Sequence, residues 1–299
     1  MDHYVNGFLL HRESEGRSPR TLEWHRGALR VFTSWLRENG HDENPTTWDS
    51  TLIRRYFVHL QDRASARGGK LSSQSVKTYA ISVRAFCRWL HDEEYIDTNM
   101  VERVAVPKSA QRVKDPFTTD DIRRLLAAAK ADKRMGLRDY AVILFLLDSG
   151  CRASEVVGMK TADILWSQML AKVYGKGSKE RVVFLSAETL RAMQRYAMRA
   201  PQGADTFFRT EEGIEMTASG LLTLTKKLAT RANVGNVHPH RFRHTFAITF
   251  LRSGGNVLAL QRLLGHTTLT MTQHYVALVS DDLAREHVDH SPVVTMLRR

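Results

Sequence analysis

A chain of 299 residues is about twice a typical domain, so two domains are expected and a sizeable core can form without disulfide or metal staples. With 42% apolar and 25% charged residues it is an ordinary soluble globular chain, which excludes collagen-like, low-complexity and wholly disordered classes. The 44 Lys and Arg exceed the 32 Asp and Glu by 12, an excess that draws a protein to a polyanion such as nucleic acid or an anionic membrane.

The N-terminus, MDHYVNGFLLHRES, lacks a basic segment followed by an apolar stretch, so no secretory signal is expected. The longest apolar run, Tyr140 to Leu147, falls well short of the about 18 residues of a spanning helix, which argues against membrane insertion and for a cytoplasmic address. Apolar residues then recur with helical period over Arg20 to Glu38 and Ser73 to Glu93, with Ser18 and Ser72 or Ser73 as N-caps and a further helix at Leu52 to Gln61. This predicts a small helical bundle with an Arg-rich outer face over residues 1–106. Residues 107–116, polar, basic and bracketed by Pro107 and Pro116, read as a linker. Before it stand 15 basic and 14 acidic residues, net +1; from Pro107 onward stand 29 and 18, net +11.

The second domain, 117–299, opens on Thr118 and Asp121 at capping-box spacing, which predicts a helix start. Leu137 to Asp148 reads as a helix buried on every side, ending at Ser149-Gly150. Met169 to Tyr174 and Arg181 to Leu185 read as a β-hairpin with Gly177 in its turn. Helical stretches follow at Ser186 to Arg199, Thr217 to Ala232, Arg241 to Ser253, Val257 to Leu264 and about Leu269 to Val276. Cys87 and Cys151, far apart and outside any Cys/His cluster, read as small core residues.

Clusters at helix ends and turns of this domain combine cations, imidazoles and one tyrosine: Ser149-Gly-Cys-Arg152-Ala-Ser-Glu155, Tyr174-Gly-Lys176-Gly-Ser-Lys179, His238-Pro-His240-Arg-Phe-Arg243-His244, and Leu264-Gly-His266 with Tyr275 nine residues on. Singly, each has an ordinary explanation: Arg152 as a helix cap, Gly-Lys-Gly-Ser-Lys as a solvated hairpin tip, Tyr275 as a packing residue. A phosphate-binding P-loop is excluded because Leu170 stands where its first glycine belongs. A zinc pair at His240 and His244 lacks the glutamate of HExxH and is crowded by Arg241 and Arg243. A hydrolase Ser has no GxSxG elbow. Together, arginines, a lysine and histidines around a tyrosine suit phosphoryl transfer, where fixed cations stabilise charge building on phosphate oxygens, with no cofactor.

In order, G-x-R-x-S-E, G-K-G-x-K, H-x-x-R-H-T, L-G-H and the downstream Tyr resemble the tyrosine recombinase (phage integrase) family over nearly the whole chain, and Ser18-Pro-Arg-Thr-Leu-Glu-Trp resembles the start of its core-site-binding domain. The resemblance implies a mainly α fold with a small β-sheet or hairpin in the second domain: an N-terminal SAM-like bundle and a C-terminal catalytic domain. It further implies that Tyr275 attacks a scissile DNA phosphate to give a 3′-phosphotyrosyl enzyme, that Arg152 and Arg243 bind the non-bridging oxygens, that Lys176 is the general acid with Lys179 as fallback, that His240 is the base or hydrogen-bond partner of the tyrosine, and that His266 supports the phosphate. Glu155 would orient its neighbours, since a carboxylate facing a phosphate is repelled. The expected partner is double-stranded DNA, bound by a homotetramer in which the tail, about residues 280–299 with a short helix at Ser280 to Val288, docks on a neighbouring protomer; no metal, ATP, membrane or small-molecule substrate is expected. The ending His290-Ser-Pro-Val-Val resembles mobile-element integrases more than the Xer type. The competing readings are a type IB topoisomerase, a non-catalytic DNA-binding protein, and a metal-dependent nuclease, for which clustered carboxylates are missing.

Overall fold

Among the residues described by the computed structural model, which are 1–65, 68–109, 115–175, 180–266, 268, 272, 273 and 275, four α-helices build the first compact unit, Met1–Val113. They are α1 (Asp2–Ser14), α2 (Pro19–Glu38), α3 (Ser50–Asp62) and α4 (Ser73–Asp92). Ser18 and Ser72 cap α2 and α4 as expected, their side chains accepting from the N–H groups of Thr21 and Ser75. The sequence reading gave no helix to α1, and the reason is its composition. Only Phe8 and Leu9 are buried there, too few to mark a period, and Phe8 is held by edge-on packing against His25, Phe86 and Trp89. The core is aromatic, with the Phe32 and Tyr56 rings 4.7 Å apart, and His25 reaches Ser82 at 2.7 Å to join α2 to α4. Burial, followed by Arg12 and Arg17, pushes His25 down to about 4.

The near-neutral charge of this unit hides a pattern. At 3.6 residues per turn, Arg26, Arg30 and Arg37 fall within about 40° of arc on α2, and Lys77, Arg84 and Arg88 within about 40° on α4. Arg26, Arg30 and Arg88 are exposed, while Arg37 is committed to Glu43.

The second compact unit, Lys114–Arg299, contains α5 (Thr119–Lys130), α6 (Gly136–Ser149), α7 (Ala153–Gly158), a sheet of β1 (Ile164–Leu165), β2 (Leu170–Tyr174) and β3 (Glu180–Phe184), then α8 (Ala187–Ala197), α9 (Ala218–Ala232), α10 (Pro239–Arg252) and α11 (Val257–Leu264). The Thr118/Asp121 capping box closes in both directions. Helix α6 is the hub: Ala141 through Phe145 are at most 8% exposed, and α5, α8 and α10 pack around it. The sheet is antiparallel in the order β1-β2-β3, with Leu170 opposite Phe184 and Tyr174 opposite Glu180. Met169, expected in the hairpin, instead turns the chain between β1 and β2 at φ +57°. Strand β1 and helix α7 went unpredicted because two and six residues are too short to carry a period. Both cysteines are fully buried and free. No helix among the described residues is long and apolar enough to cross a membrane. The hairpin tip at 176–179 and the tail from 276 onward, including the helix expected at Ser280 to Val288, lie outside the described residues.

Candidate active site

Helices α6 and α11 end alike. Gly150 follows α6 at φ +59° and Gly265 follows α11 at φ +62°, the left-handed C-cap that glycine adopts without strain. Neither position has room for a side chain. A Cβ on Gly150 would lie 2.6 Å from the Phe246 ring, and one on Gly265 would lie 2.9 Å from the Arg181 side chain. These two tight turns deliver Cys151 and Arg152 on one side and His266 on the other.

A guanidinium spans the gap. Arg243, on the buried side of α10 and 2% exposed, donates from Nη1 to the Gly150 carbonyl and from Nη2 to the Leu264 carbonyl, both at 2.8 Å. Arg181, from β3, spans the same two loops in parallel: Nη1 donates to the Leu263 carbonyl, while Nη2 reaches Glu155 Oε2 at 2.7 Å and Cys151 Sγ at 3.4 Å. The Glu155 side chain is fully buried and also accepts the Arg152 backbone N–H at 2.7 Å and Arg152 Nη1 at 3.0 Å. Arg152 therefore both caps α7 and lies against the cluster, so its ordinary and functional readings hold together.

The electrostatics follow from one carboxylate among three guanidiniums within the described residues. Burial opposes ionisation of Glu155, but the hydrogen bonds and charge of Arg181 and Arg152 carry its carboxyl below the ordinary range. Arg243 pairs with no carboxylate among the described residues: burial first, then the charge of Arg152, pushes it down to about 10. His266, whose Nδ1 lies 2.9 Å from Thr272 Oγ1, is pushed down to about 4 by burial, then by Arg243, Arg152, Arg181 and His240. Among the described residues the cluster is a positive site with more guanidiniums than carboxylates.

Tyr275, 7% exposed, packs its ring into a small apolar cluster with Ala247, Ile248, Leu251, Leu260 and Leu264. The ring lies 6.3 Å from that of His266, nearly parallel, and 5.3 Å from that of His244. Burial raises its phenol above the ordinary value, and Arg243 and Arg152 pull it part of the way back.

Of the six residues singled out in the sequence, Arg152, Arg243, His266 and Tyr275 thus meet around two glycine-capped turns. His240 stands exposed on the first turn of α10, its ring 6.5 Å from His238 and its charge felt at His266. Lys176 and its fallback Lys179 lie outside the described residues. Two neighbours escaped the sequence reading. Spacing offers His244 only as half of a zinc pair, yet its ring is beside Tyr275, and Arg181 only as the first residue of a strand. The available signal for Arg181 was a lone arginine opening the apolar run Arg181-Val-Val-Phe184.

The depressed His266 gives a pH prediction. Its folded value near 4 lies below the ordinary 6.5, so the neutral ring favours the fold above pH 6.5 and that contribution is lost as pH falls from 6.5 through 4. Titration of the His266 ring protons by NMR in the DNA-free protein should give a midpoint near 4; a midpoint at or above 6.5 would contradict the electrostatic description.

Known proteins place this arrangement. The phage integrase family model matches residues 116–281, and the model of the phage integrase N-terminal SAM-like domain matches residues 5–94. The tyrosine recombinase XerC of Pelobacter propionicus is 32% identical over 286 residues, covering 93% of this chain and 92% of the relative. The tyrosine recombinase XerD of Pseudomonas aeruginosa is 30% identical, covering 98% and 97%. These are Xer recombinases, whereas the ending His290-Ser-Pro-Val-Val, outside the described residues, pointed toward mobile-element integrases. In fold, the chain is similar to the Tn1549 transposon integrase in complex with transposon right end DNA, at TM-score 0.78 and 20% identity over 96% of this chain and 98% of that one. With Arg152, Arg243, His266 and Tyr275 brought together and relatives matched over more than nine-tenths of the chain, the chain belongs to the phage integrase family and is a tyrosine recombinase.

Proposed function

We propose that this protein cuts and rejoins DNA at specific sites through a covalent phosphotyrosine, without metal or nucleotide. The observation that carries the reading is the cluster of Arg152, Arg181 and Arg243, which among the described residues holds a single carboxylate and has Tyr275 beside it. A scissile phosphate entering there supplies the missing negative charge, with the forks of Arg152 and Arg243 on its non-bridging oxygens.

Tyr275 Oη attacks phosphorus as the bond to O5′ breaks, leaving a 3′-phosphotyrosyl end and a free 5′-hydroxyl. The phenol proton passes to His240, and Lys176 protonates the departing O5′. Because the buried phenol is held above its ordinary value in the free protein, attack needs both a base and the approach of cations to the developing phenolate. The ester conserves the energy of the broken phosphodiester, so a 5′-hydroxyl from another strand reverses the step and recombines the ends. A homotetramer synapsing two sites, linked by the tail after residue 280, fits this exchange. In the first unit, the stripes on α2 and α4 offer DNA phosphates concentrated charge despite the unit's near-neutral total.

The test is a duplex carrying the cognate site, nicked so that the released 5′-oligonucleotide diffuses away. Incubation in EDTA without ATP, followed by denaturing electrophoresis, should yield a protein–DNA adduct. Cleavage that strictly requires magnesium would favour a nuclease instead.

A further inference from the structure

We infer that Arg181 is a positioning residue for strand cleavage: through Glu155 it fixes Arg152, and through the Leu263 carbonyl it fixes the turn that carries His266, so that both sides of the phosphate site are set from the hairpin. This rests on the cleavage reading above.

The argument is geometric. The Arg181 side chain, near the start of β3, is 11% exposed and contacts the Cys151 sulfur, both oxygens of Glu155 and the carbonyl of Leu263, all at least 26 residues away in sequence. Glu155 has two carboxylate oxygens. Arg181 contacts both, and each also accepts from Arg152, one from the guanidinium and the other from the backbone. If Arg181 is removed, Glu155 is left with Arg152 alone, and the buried carboxylate draws that guanidinium inward, away from the oxygens it should hold. Gly265 shows how close the packing is, since a single methyl there would collide with the Arg181 side chain. Arg243 stitches the same two loops through the carbonyls of Gly150 and Leu264. The turns are therefore clamped twice, by Arg243 and by Arg181. Lysine cannot replace the latter, because an ammonium has no planar fork with which to engage a carboxylate and a carbonyl together.

A substrate with altered charge separates positioning from folding. Replacing one non-bridging oxygen of the scissile phosphate by methyl removes the negative charge that Arg152 must neutralise. On the natural phosphate, Arg181→Met should cut the single-turnover cleavage rate by about 10- to 100-fold, the range for a catalytic group misplaced by an ångström. DNA affinity should remain within about 3-fold. On the methylphosphonate the same variant should lose no more than about 3-fold, because a displaced Arg152 then matters little. Arg181→Lys should behave like Arg181→Met. Should Arg181→Met, with the buried Glu155 carboxylate left to Arg152 alone, fail to fold, the double variant Glu155→Gln/Arg181→Met removes both charges and, because Arg152 then lacks its anchoring carboxylate, should show the same substrate-dependent loss. An equal loss on both substrates, or no loss on phosphate, would overturn the positioning role. Absence of cleavage of the natural phosphate by the unaltered protein would instead overturn the cleavage reading itself.

Discussion

Tyr275→Phe is expected to bind its DNA site with unchanged affinity, to melt at the same temperature and to form no covalent adduct. The substitution removes one oxygen and nothing else. The ring belongs to the apolar cluster of Ala247, Ile248, Leu251, Leu260 and Leu264, and phenylalanine refills that space with the same shape. Burial already disfavours the phenolate, so the hydroxyl brings no ionic contribution to stability that the variant could lose. If affinity rests on backbone phosphate contacts, as proposed, one buried hydroxyl adds little to it. Chemistry has no such redundancy, since without Oη no atom remains to carry the phosphate. Three measurements on one preparation decide the point: filter binding, thermal unfolding and adduct trapping on the nicked duplex. An adduct formed by the variant at the normal rate would show that another side chain is the nucleophile.

The division between what the sequence disclosed and what it hid has a physical basis. Long amphipathic helices declared themselves, with α2, α4, α6 and α11 beginning and ending within about two residues of their expected limits, because their caps and periods are local. The motif residues were legible for a related reason. Gly150 and Gly265 mark tight left-handed turns, and Arg152 and His266 follow them within two residues. Hidden were features made by distant partners. Phe8 anchors α1 only through rings on α2 and α4. Arg181 matters because it meets Glu155, 26 residues before it, and Leu263, 82 residues after it. Nor does spacing alone reveal that His244, four residues after His240, is the imidazole whose ring lies beside Tyr275.

Arg152→Ala and Arg243→Ala should both abolish useful cleavage, yet they should part on stability, and that contrast tests the site's architecture. Each removes a guanidinium from the phosphate, and deleting one such donor costs about 10²- to 10³-fold in rate. The Arg152 side chain is more than a third exposed, and its partner Glu155 keeps Arg181 and a backbone N–H when the guanidinium is gone. Its pairing is solvent-screened, so the loss should stay within about 1 kcal/mol. Arg243 is different. Its removal strips donors from the buried carbonyls of Gly150 and Leu264, and each orphaned acceptor costs about 1–3 kcal/mol, partly offset by relief of a buried charge. A net loss of about 2 kcal/mol would lower the melting temperature of a unit of this size by about 4–8 °C. Calorimetry of both variants beside the unaltered protein should therefore show Arg243→Ala clearly less stable and Arg152→Ala nearly unchanged, with neither trapping DNA. If the two melt alike, the clamp from Gly150 to Leu264 does not hold the turns, and the second clamp through Arg181 must carry that strain alone.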